Sequence, residues 1–517
     1  MLEKRINYYQ LIAHIILFFF QLLFWNFIID DAFITFRYAK NLYEKGKIVF
    51  NINEAPIEGY SNFLWVVWLT ISFIFKINPI IFSKVSGMLF CHATIPLLHK
   101  IAQLLNNNRR FSNYIVIFYA LTPNIALWSI GGLETSLFCF LLLLSSMFFI
   151  KGVKFKKNFQ IIISAIFFGF LSITRHEGAI IYAISWFYLA FIGLKDKEKN
   201  LLKQCADVLI FLGVFIIIYL PYFIWRMLYY NSLLPHTFVA KQGTLNLAVL
   251  LERILFYIPL ILFLAPILVL IIIIVYKNRN IFIRDQIKLY LIVLIFTSSV
   301  ILMLITSWMP GFRFTVPIIP LIYLLLPKSI NFIEIFNEKL RNDNYLFNKM
   351  KILSIGLISL SNCFLASTFY PFVYHYGIGI KECNIPLGKW LNENSSENST
   401  LAVWDAGTIP FYAEILTIDI YPDSLQNLHI YNNPEDADYI FNLNITFLIL
   451  NDEYFDYIKT DLRFTANFNL IFYAQFLYAD DALGINYVYQ VYLNNEYHIS
   501  NTSIDSFINS SSRFFKP

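Results

Sequence analysis

Asp30-Asp31-Ala32-Phe33-Ile34-Thr35-Phe36-Arg37-Tyr38, continued by Pro56-Ile57-Glu58-Gly59-Tyr60-Ser61-Asn62-Phe63-Leu64-Trp65, is the first polar stretch after a long apolar run. Two adjacent carboxylates at the mouth of a membrane span are costly to desolvate, so a chain that keeps them there has a use for them. The surrounding sequence supports that setting. Of its 517 residues 58% are hydrophobic and only 14% are charged, against about 25% charged in an average soluble domain. The composition is that of a polytopic membrane protein. A net charge of +5 over this length is too weak to point to nucleic acid, and the Lys and Arg residues fall in short clusters between apolar runs, where they report topology. Cys91, Cys139 and Cys363 lie in apolar segments, Cys205 beside a basic loop and Cys383 alone, which gives neither a disulfide framework nor metal-ligand spacing.

Apolar runs long enough to span lie near 11–29, 80–104, 111–130, 133–150, 158–174, 176–194, 206–226, 251–276, 287–308, 312–327 and 350–370. The first could pass for a signal peptide, but it is long and no small-residue cleavage site follows it, so it is read as a helix. The run 63–75 is short and Trp-rich, as at a membrane interface. If it lies in the interface on the side of Asp30, then Lys4-Arg5, Arg109-Arg110 and the basic clusters 151–157, 195–203, 277–288 and 328–351 all share one side, the cytoplasm. If it spans, the later clusters face away from Lys4-Arg5. The expectation is therefore about eleven transmembrane helices, with the N-terminus inside and the C-terminus outside.

The unusual polar motifs then share the outer face. They are the first loop (30–79, with juxtamembrane helices), Gly131-Gly132-Leu133-Glu134-Thr135, Arg175-His176-Glu177-Gly178, Leu234-Pro235-His236-Thr237-Phe238-Val239-Ala240-Lys241, and Pro310-Gly311-Phe312-Arg313-Phe314. From about 371 the chain changes to short alternating apolar runs broken by Asn, Asp, Pro and Gly, such as Leu401 to Gly407 and Phe447 to Leu450. The reading is a membrane domain over 1–370 and a soluble α/β domain over 371–517, with a turn before a buried strand at 401–404.

Sugar transfer to a hydroxyl needs a base for the hydroxyl proton and a group that steadies the leaving phosphate; Asp30 or Asp31 fits the first role. One of them alone would suffice as a helix cap. Arg37, two helical turns after Asp30, could pair with the carboxylates or simply lie exposed. Glu58 and Asn62 bracket Gly59-Tyr60-Ser61 as turn residues or sugar contacts. Arg175, His176 and Glu177 crowd a tight hairpin, where Arg offers a bidentate phosphate clamp or an internal Arg–Glu pair. Glu134 follows a Gly-Gly turn and could cap the next helix. His236 and Lys241 occupy a long outer loop where a lipid phosphate could dock or the bilayer be anchored. Arg313, read as lying just inside an apolar helix, is expensive there unless paired. Asp405, at a strand end, could face the membrane domain or stabilise a turn.

With these residues set out, the chain resembles the bacterial GT-C glycosyltransferases related to the mycobacterial terminal β-(1→2) arabinofuranosyltransferase. The resemblance rests on Asp-Asp-Ala-Phe-Ile-x-Phe-Arg-Tyr-Ala-x-Asn-Leu at 30–42, Val-Phe-Asn at 49–51, Glu-Gly-Tyr-Ser-Asn-Phe-Leu-Trp at 58–65, Gly-Gly-Leu-Glu-Thr at 131–135, Thr-Arg-His-Glu-Gly at 174–178, Leu-Pro-His-Thr-Phe-x-Ala-Lys at 234–241 and Asp-Ala-Gly at 405–407. Each is weak alone; the ordered set covers most of the chain. It implies an all-α polytopic GT-C core with a C-terminal α/β periplasmic domain, in the bacterial cytoplasmic membrane. It also implies a polyprenyl-phosphate-linked sugar donor and an acceptor hydroxyl on an envelope glycan, glycolipid or protein. Carried over, Asp30 and Asp31 are the catalytic pair, with Asp30 the base and Asp31 in acceptor or metal contact. A divalent cation, Mg or Mn, would sit at these two. Arg175, His176, His236, Lys241 and Arg313 become donor-phosphate candidates, and Arg37, Glu58, Asn62, Glu134, Glu177 and Asp405 candidates for acceptor or sugar. The family more often has Pro and Asn where this chain has His176 and His236.

The function expected is thus transfer of a sugar from a polyprenyl phosphate on the outer face of the membrane, with inversion. The rival from another class is a transporter or flippase of lipid-linked sugars, which would place its ionisable groups near the midplane in paired repeats; here they cluster at one face.

Overall fold

The computed structural model describes residues 7–106, 109–195, 201–233, 251, 255–258, 260, 285–303, 309–326, 344–421, 426–433, 436–451, 455–476 and 487–517. Helix α1 (Tyr8–Leu23) starts at Asn7, whose side chain accepts from the Tyr9 amide. It delivers the chain to Asp30, and α2 (Asp31–Lys45) begins there, with Asp31 favourably placed in its first turn. Gly46, at φ 64°, closes α2 in the left-handed conformation that favours glycine. After a loop comes α3 (Phe63–Ile74), whose 12 residues are too few to span and fit an interfacial helix. Next follow α4 (Pro79–Asn106), α5 (Arg109–Leu121), α6 (Pro123–Ile130), α7 (Thr135–Phe155), α8 (Asn158–Thr174), α9 (Glu177–Lys195) and α10 (Leu201–Tyr230). Beyond them lie α11 (Gln286–Met303), a 3-10 turn at Arg313–Thr315, α12 (Ile319–Leu324) and α13 (Asn344–Gly379).

Among the described residues four helices are long and apolar enough to cross a membrane, or five if α5 and α6 together form one span bent by 58°. The bend falls at Thr122-Pro123, where the proline sits at the first position of α6. The chain is a multi-pass membrane protein, and by length and composition the described helices offer these four or five candidates where the sequence led to an expectation of eleven. Of the expected spans, 251–276 lies mostly outside the described residues. The run 312–327 is not a continuous apolar helix. It opens on Phe312 at φ 53°, after Pro310 and Gly311, and a turn separates Arg313–Thr315 from the helix at Ile319, so that Arg313 sits in a 3-10 turn rather than inside an α-helix. Helix α13 runs through the expected boundary at 370/371 and passes by a π turn (Ile380–Asn384) into α14 (Ile385–Glu393).

The soluble part is mixed α/β. Its six-stranded sheet contains β1 (Thr400–Val403), β2 (Leu416–Asp419), β3 (Phe447–Leu450), β4 (Phe468–Phe476), β5 (Tyr487–Asn494) and β6 (Phe514–Phe515), in the order β2-β1-β3-β5-β4-β6. The first three strands pair in parallel and the others antiparallel. All four residues of β1 and of β3 are buried, as their uninterrupted apolar runs require. A short helix, α15 (Thr408–Ala413), joins β1 to β2 and faces the membrane domain. One apolar core runs from the membrane helices into one side of the sheet, through Phe33, Phe36, Ile409, Leu387 and Phe472. A second, including Ala402, Ile418, Leu448 and Phe455, fills the other side.

Candidate active site

The two aspartates that open α2 have different surroundings. Asp30 is buried, and its Oδ1 accepts from the Thr408 amide at 2.8 Å and from the Thr408 hydroxyl at 2.6 Å. It therefore caps the first turn of α15 from outside the soluble domain. Gly407 makes the approach possible, because a Cβ built there would overlap the Asp30 carboxylate. Burial first, then the nearby Asp405 charge, push the Asp30 carboxyl up to about 7, against the pull of the Thr408 bonds. Asp405 itself accepts from the Tyr489 hydroxyl. Asp31 is only half-buried and has no side-chain hydrogen-bond partner among the described residues; its charge acts on Arg313.

Below Asp31 lies an ion cluster built on the turn between α6 and α7. Gly132 has φ 89°, and a Cβ there would come within 2.8 Å of Ala32 Cβ, so this glycine lets the turn pack beneath the first loop. The turn carries Glu134, which is fully buried. Its Oε1 accepts from Arg175 Nη1 and from Arg313 Nη2, each at 2.7 Å, and its Oε2 accepts from Asn62 Nδ2 at 2.8 Å. Asn62 Nδ2 also reaches the Thr35 hydroxyl at 3.2 Å, which ties α2 to the cluster. Arg175 holds Glu177 through a second pair of bonds, at 2.7 and 3.3 Å. Arg313 Nε donates to Thr135 at 3.2 Å. Both guanidiniums lie over the Phe314 ring, at 4.8 and 5.4 Å from its centre. Two positive and two negative groups are thus desolvated together, an arrangement tolerable only because the pairs are hydrogen-bonded.

A pocket with roughly 520 Å³ of empty volume, counted out to its open mouth, starts at this cluster. Arg175, Glu177, Arg313 and Thr135 line its polar end, and Phe138, Leu142, Ile181, Pro317 and Ile318 its apolar remainder. Such a pocket suits a ligand with an anionic head and a hydrocarbon tail.

The structure thus brings Asn62, Glu134, Arg175, Glu177 and Arg313 together, with Asp31 near them and Asp30 and Asp405 above. His176 is half-buried in the same hairpin. His236 and Lys241 lie outside the described residues. Arg37 is not gathered with them: it is buried and donates to Phe50 O at 2.8 Å, Pro410 O at 2.7 Å, Asn51 Oδ1 at 2.9 Å and Ile415 O at 2.8 Å. That makes it a strut between the first loop and the soluble domain. Glu58 accepts from Arg226 Nε at 2.9 and 2.8 Å and sits 2.7 Å from its Nη2. Arg226 and Thr408 escaped the sequence reading. Arg226 carried a usable signal, a lone charge within the apolar run of α10, where a partner is obligatory. Among the described residues no three His, Cys, Asp or Glu side chains are placed to share an ion, so a Mg or Mn ion at Asp30 and Asp31 would have two protein carboxylates at most. Waters and substrate oxygens would fill the remaining positions.

A family model described as a domain of unknown function (DUF8728) matches residues 375–492. No curated protein matches. Among solved structures, ArnT from Cupriavidus metallidurans bound to undecaprenyl phosphate aligns at a TM-score of 0.61 and 11% identity, over 93% of this chain and 97% of that one. The archaeal oligosaccharyltransferase AglB from Archaeoglobus fulgidus, in complex with an inhibitory peptide and a dolichol-phosphate, aligns at 0.56 and 11%, over 86% and 69%. An Archaeoglobus fulgidus oligosaccharyltransferase in complex with Zn and sulfate aligns at 0.55 and 13%, over 85% and 67%. The fold is therefore the one found in ArnT and in the archaeal oligosaccharyltransferase. At these identities the likeness is one of architecture.

Proposed function

We propose that the protein is a GT-C glycosyltransferase that moves a sugar from a polyprenyl phosphate to an acceptor hydroxyl. The observation that carries the reading is the pocket whose polar end holds two buried guanidiniums and whose remainder is apolar, with the half-buried Asp31 close enough for its charge to act on Arg313. The undecaprenyl phosphate bound to ArnT and the dolichol-phosphate bound to AglB support the donor class. In this reading the donor phosphate enters between Arg175 and Arg313 and takes the place of Glu177 on Arg175, while the prenyl tail runs along Phe138, Leu142, Ile181 and Ile318. His236 and Lys241, in the outer loop, are further candidates for that phosphate. Glu134 and Asn62 hold the two arginines in position.

Of the paired aspartates, Asp31 is the base. Asp30 is committed to Thr408 and holds the soluble domain over the site. The acceptor oxygen loses its proton to Asp31 and forms the new bond to the anomeric carbon. The bond from that carbon to the phosphate oxygen breaks, the configuration inverts, and polyprenyl phosphate leaves against the guanidiniums. The site faces outward from the bacterial cytoplasmic membrane, as the distribution of basic clusters implies. The ordered motifs support a place near the terminal arabinofuranosyltransferases. Replacing Asp31 with Asn tests the assignment in purified protein: transfer falls by about 10²–10⁴-fold, the usual contribution of a positioned base, while lipid-phosphate binding persists. Transfer at the normal rate would refute it.

A further inference from the structure

The end of the helix bundle opposite the candidate site carries charge that the transfer chemistry does not use. From residue 59 to 133, and again from 135 to 176, the sequence holds no Asp or Glu, yet Lys100, Arg109, Lys151, Lys154, Lys156 and Lys157 stand at this end of it. Helices α4 and α7 pack in parallel here. The Phe90 and Phe140 rings meet at 5.8 Å between centres, and farther along both helices Lys154 donates to the Leu104 carbonyl. Lys154 is thereby engaged with the last turn of α4, where a cation suits the helix dipole. Lys100 and Lys151 are not so engaged. Neither has a hydrogen-bond or ion-pair partner among the described residues, and the charge that acts on Lys151 is the like charge of Lys100.

Each of these two lysines ends a narrow lipid-facing stripe. Between Thr135 and Ile150 every residue of α7 is buried except Phe140, Leu144 and Phe148, which share one helix face, and Lys151 continues that face. The Lys151 ammonium lies over the Phe148 ring at 5.4 Å, so its stem follows the same stripe. On α4 the exposed face runs through Leu89 and Pro96 to Lys100. The two stripes lie side by side, meeting at Phe90 and Phe140 at one end and at the two lysines at the other. From Phe140 to Lys151 the helix rises roughly 16 Å. One leaflet of a hydrocarbon core about 30 Å thick has nearly that depth. An apolar strip one leaflet long, with two unpaired ammonium groups at its headgroup end, has the shape and charge to hold a phospholipid. A zwitterionic headgroup would bring a further cation to the lysines; an anionic one brings only the negative charge they lack.

We propose that Lys100 and Lys151 form a binding site for an anionic phospholipid of the surrounding bilayer. Its phosphate bridges the two ammonium groups and an acyl chain lies along Phe148, Leu144 and Phe140. The site is separate from the pocket at Arg175 and Arg313 and stands whether or not the protein transfers sugar. To test it, the full-length protein in detergent is titrated with phosphatidylglycerol and with phosphatidylcholine of the same acyl chains, and bound lipid is counted by native mass spectrometry. The unaltered protein binds phosphatidylglycerol about thirtyfold more tightly, since each lysine near an anionic headgroup contributes roughly a factor of five. Lys100→Gln combined with Lys151→Gln binds the two lipids alike, whereas Lys156→Gln combined with Lys157→Gln keeps the preference. Without added lipid the Lys100/Lys151 double variant unfolds no earlier than the parent, because it loses only a pair of like charges. Lys100→Glu, which gives Lys151 a carboxylate, unfolds later than the parent and also loses the preference. Inorganic phosphate at the same concentration displaces no phosphatidylglycerol. Equal binding of the two lipids to the unaltered protein, a preference that survives both Lys100→Glu and the Lys100/Lys151 double variant, or displacement by inorganic phosphate overturns the proposal.

Discussion

Raising the pH through neutrality should loosen the soluble domain from the first loop. The joint is Asp30, whose Oδ1 takes both the amide and the hydroxyl of Thr408. In the docked structure burial and the Asp405 charge lift its carboxyl from 3.8 to about 7. An acid whose folded value is raised gives stability that is complete below its unfolded value and is lost as pH climbs through the folded one. Between about pH 4 and 7 the docked state holds a proton that the undocked state has released. At about 1.4 kcal/mol per pH unit, the loss across that window totals roughly 4 kcal/mol. Hydrogen exchange measured by mass spectrometry on peptides spanning 400–413, corrected for intrinsic exchange and run from pH 5 to 8, reads this directly. The Thr408 amide should lose protection steadily up to neutrality. Asp30→Asn is a neutral isostere that keeps the acceptor oxygen, so its profile should be flat. Asp30→Ala leaves both Thr408 donors unpaired, at about 1–3 kcal/mol each, and should expose the amide at every pH. Protection that does not change with pH in the unaltered protein, or that changes equally in Asp30→Asn, would refute the reasoning.

Glu134→Ala strips both Arg175 and Arg313 of their shared partner. Thermal unfolding should report a loss of about 3–5 kcal/mol, the usual result of leaving a buried charge uncompensated. Glu58→Leu and Arg226→Leu should each cost a similar amount, and the double replacement should come within about 1 kcal/mol of the parent, because the pair fails together. Gly407→Ala should undock the soluble domain, since its Cβ would overlap the Asp30 carboxylate; limited proteolysis of the first loop would reveal it. Chelation tests the cation expected at Asp30 and Asp31: transfer lost in EDTA and restored by Mg or Mn supports it, and full activity in EDTA speaks against it.

Much of the ion cluster was legible because membranes make charges conspicuous. Glu134, Arg175 and Arg313 stood out as ionisable residues at the ends of apolar runs, where each needs a partner, and the structure joins all three. Their pairing could be anticipated, although the turn that places Arg313 could not, since apolar composition alone does not distinguish a helix from a 3-10 turn. The separate roles of Asp30 and Asp31 were not legible. Adjacent carboxylates look alike until Thr408, 378 positions away, engages one of them. Arg37 misled for a related reason. Its partners are mainly backbone carbonyls, which leave no mark in side-chain identity.

The Arg37 joint fixes what kind of change this protein tolerates over generations. Three of its bonds end on the carbonyls of Phe50, Pro410 and Ile415, groups that every residue type supplies. The side chains of Pro410 and Ile415 can change without touching these bonds, whereas that of Phe50 also lies under the guanidinium, which sits 4.4 Å from the ring centre. Chain length is not: one residue inserted between 38 and 50, or between 411 and 414, would carry a carbonyl out of reach of a planar guanidinium whose donors point in fixed directions. Related chains should therefore vary in composition around this joint while keeping its spacing constant.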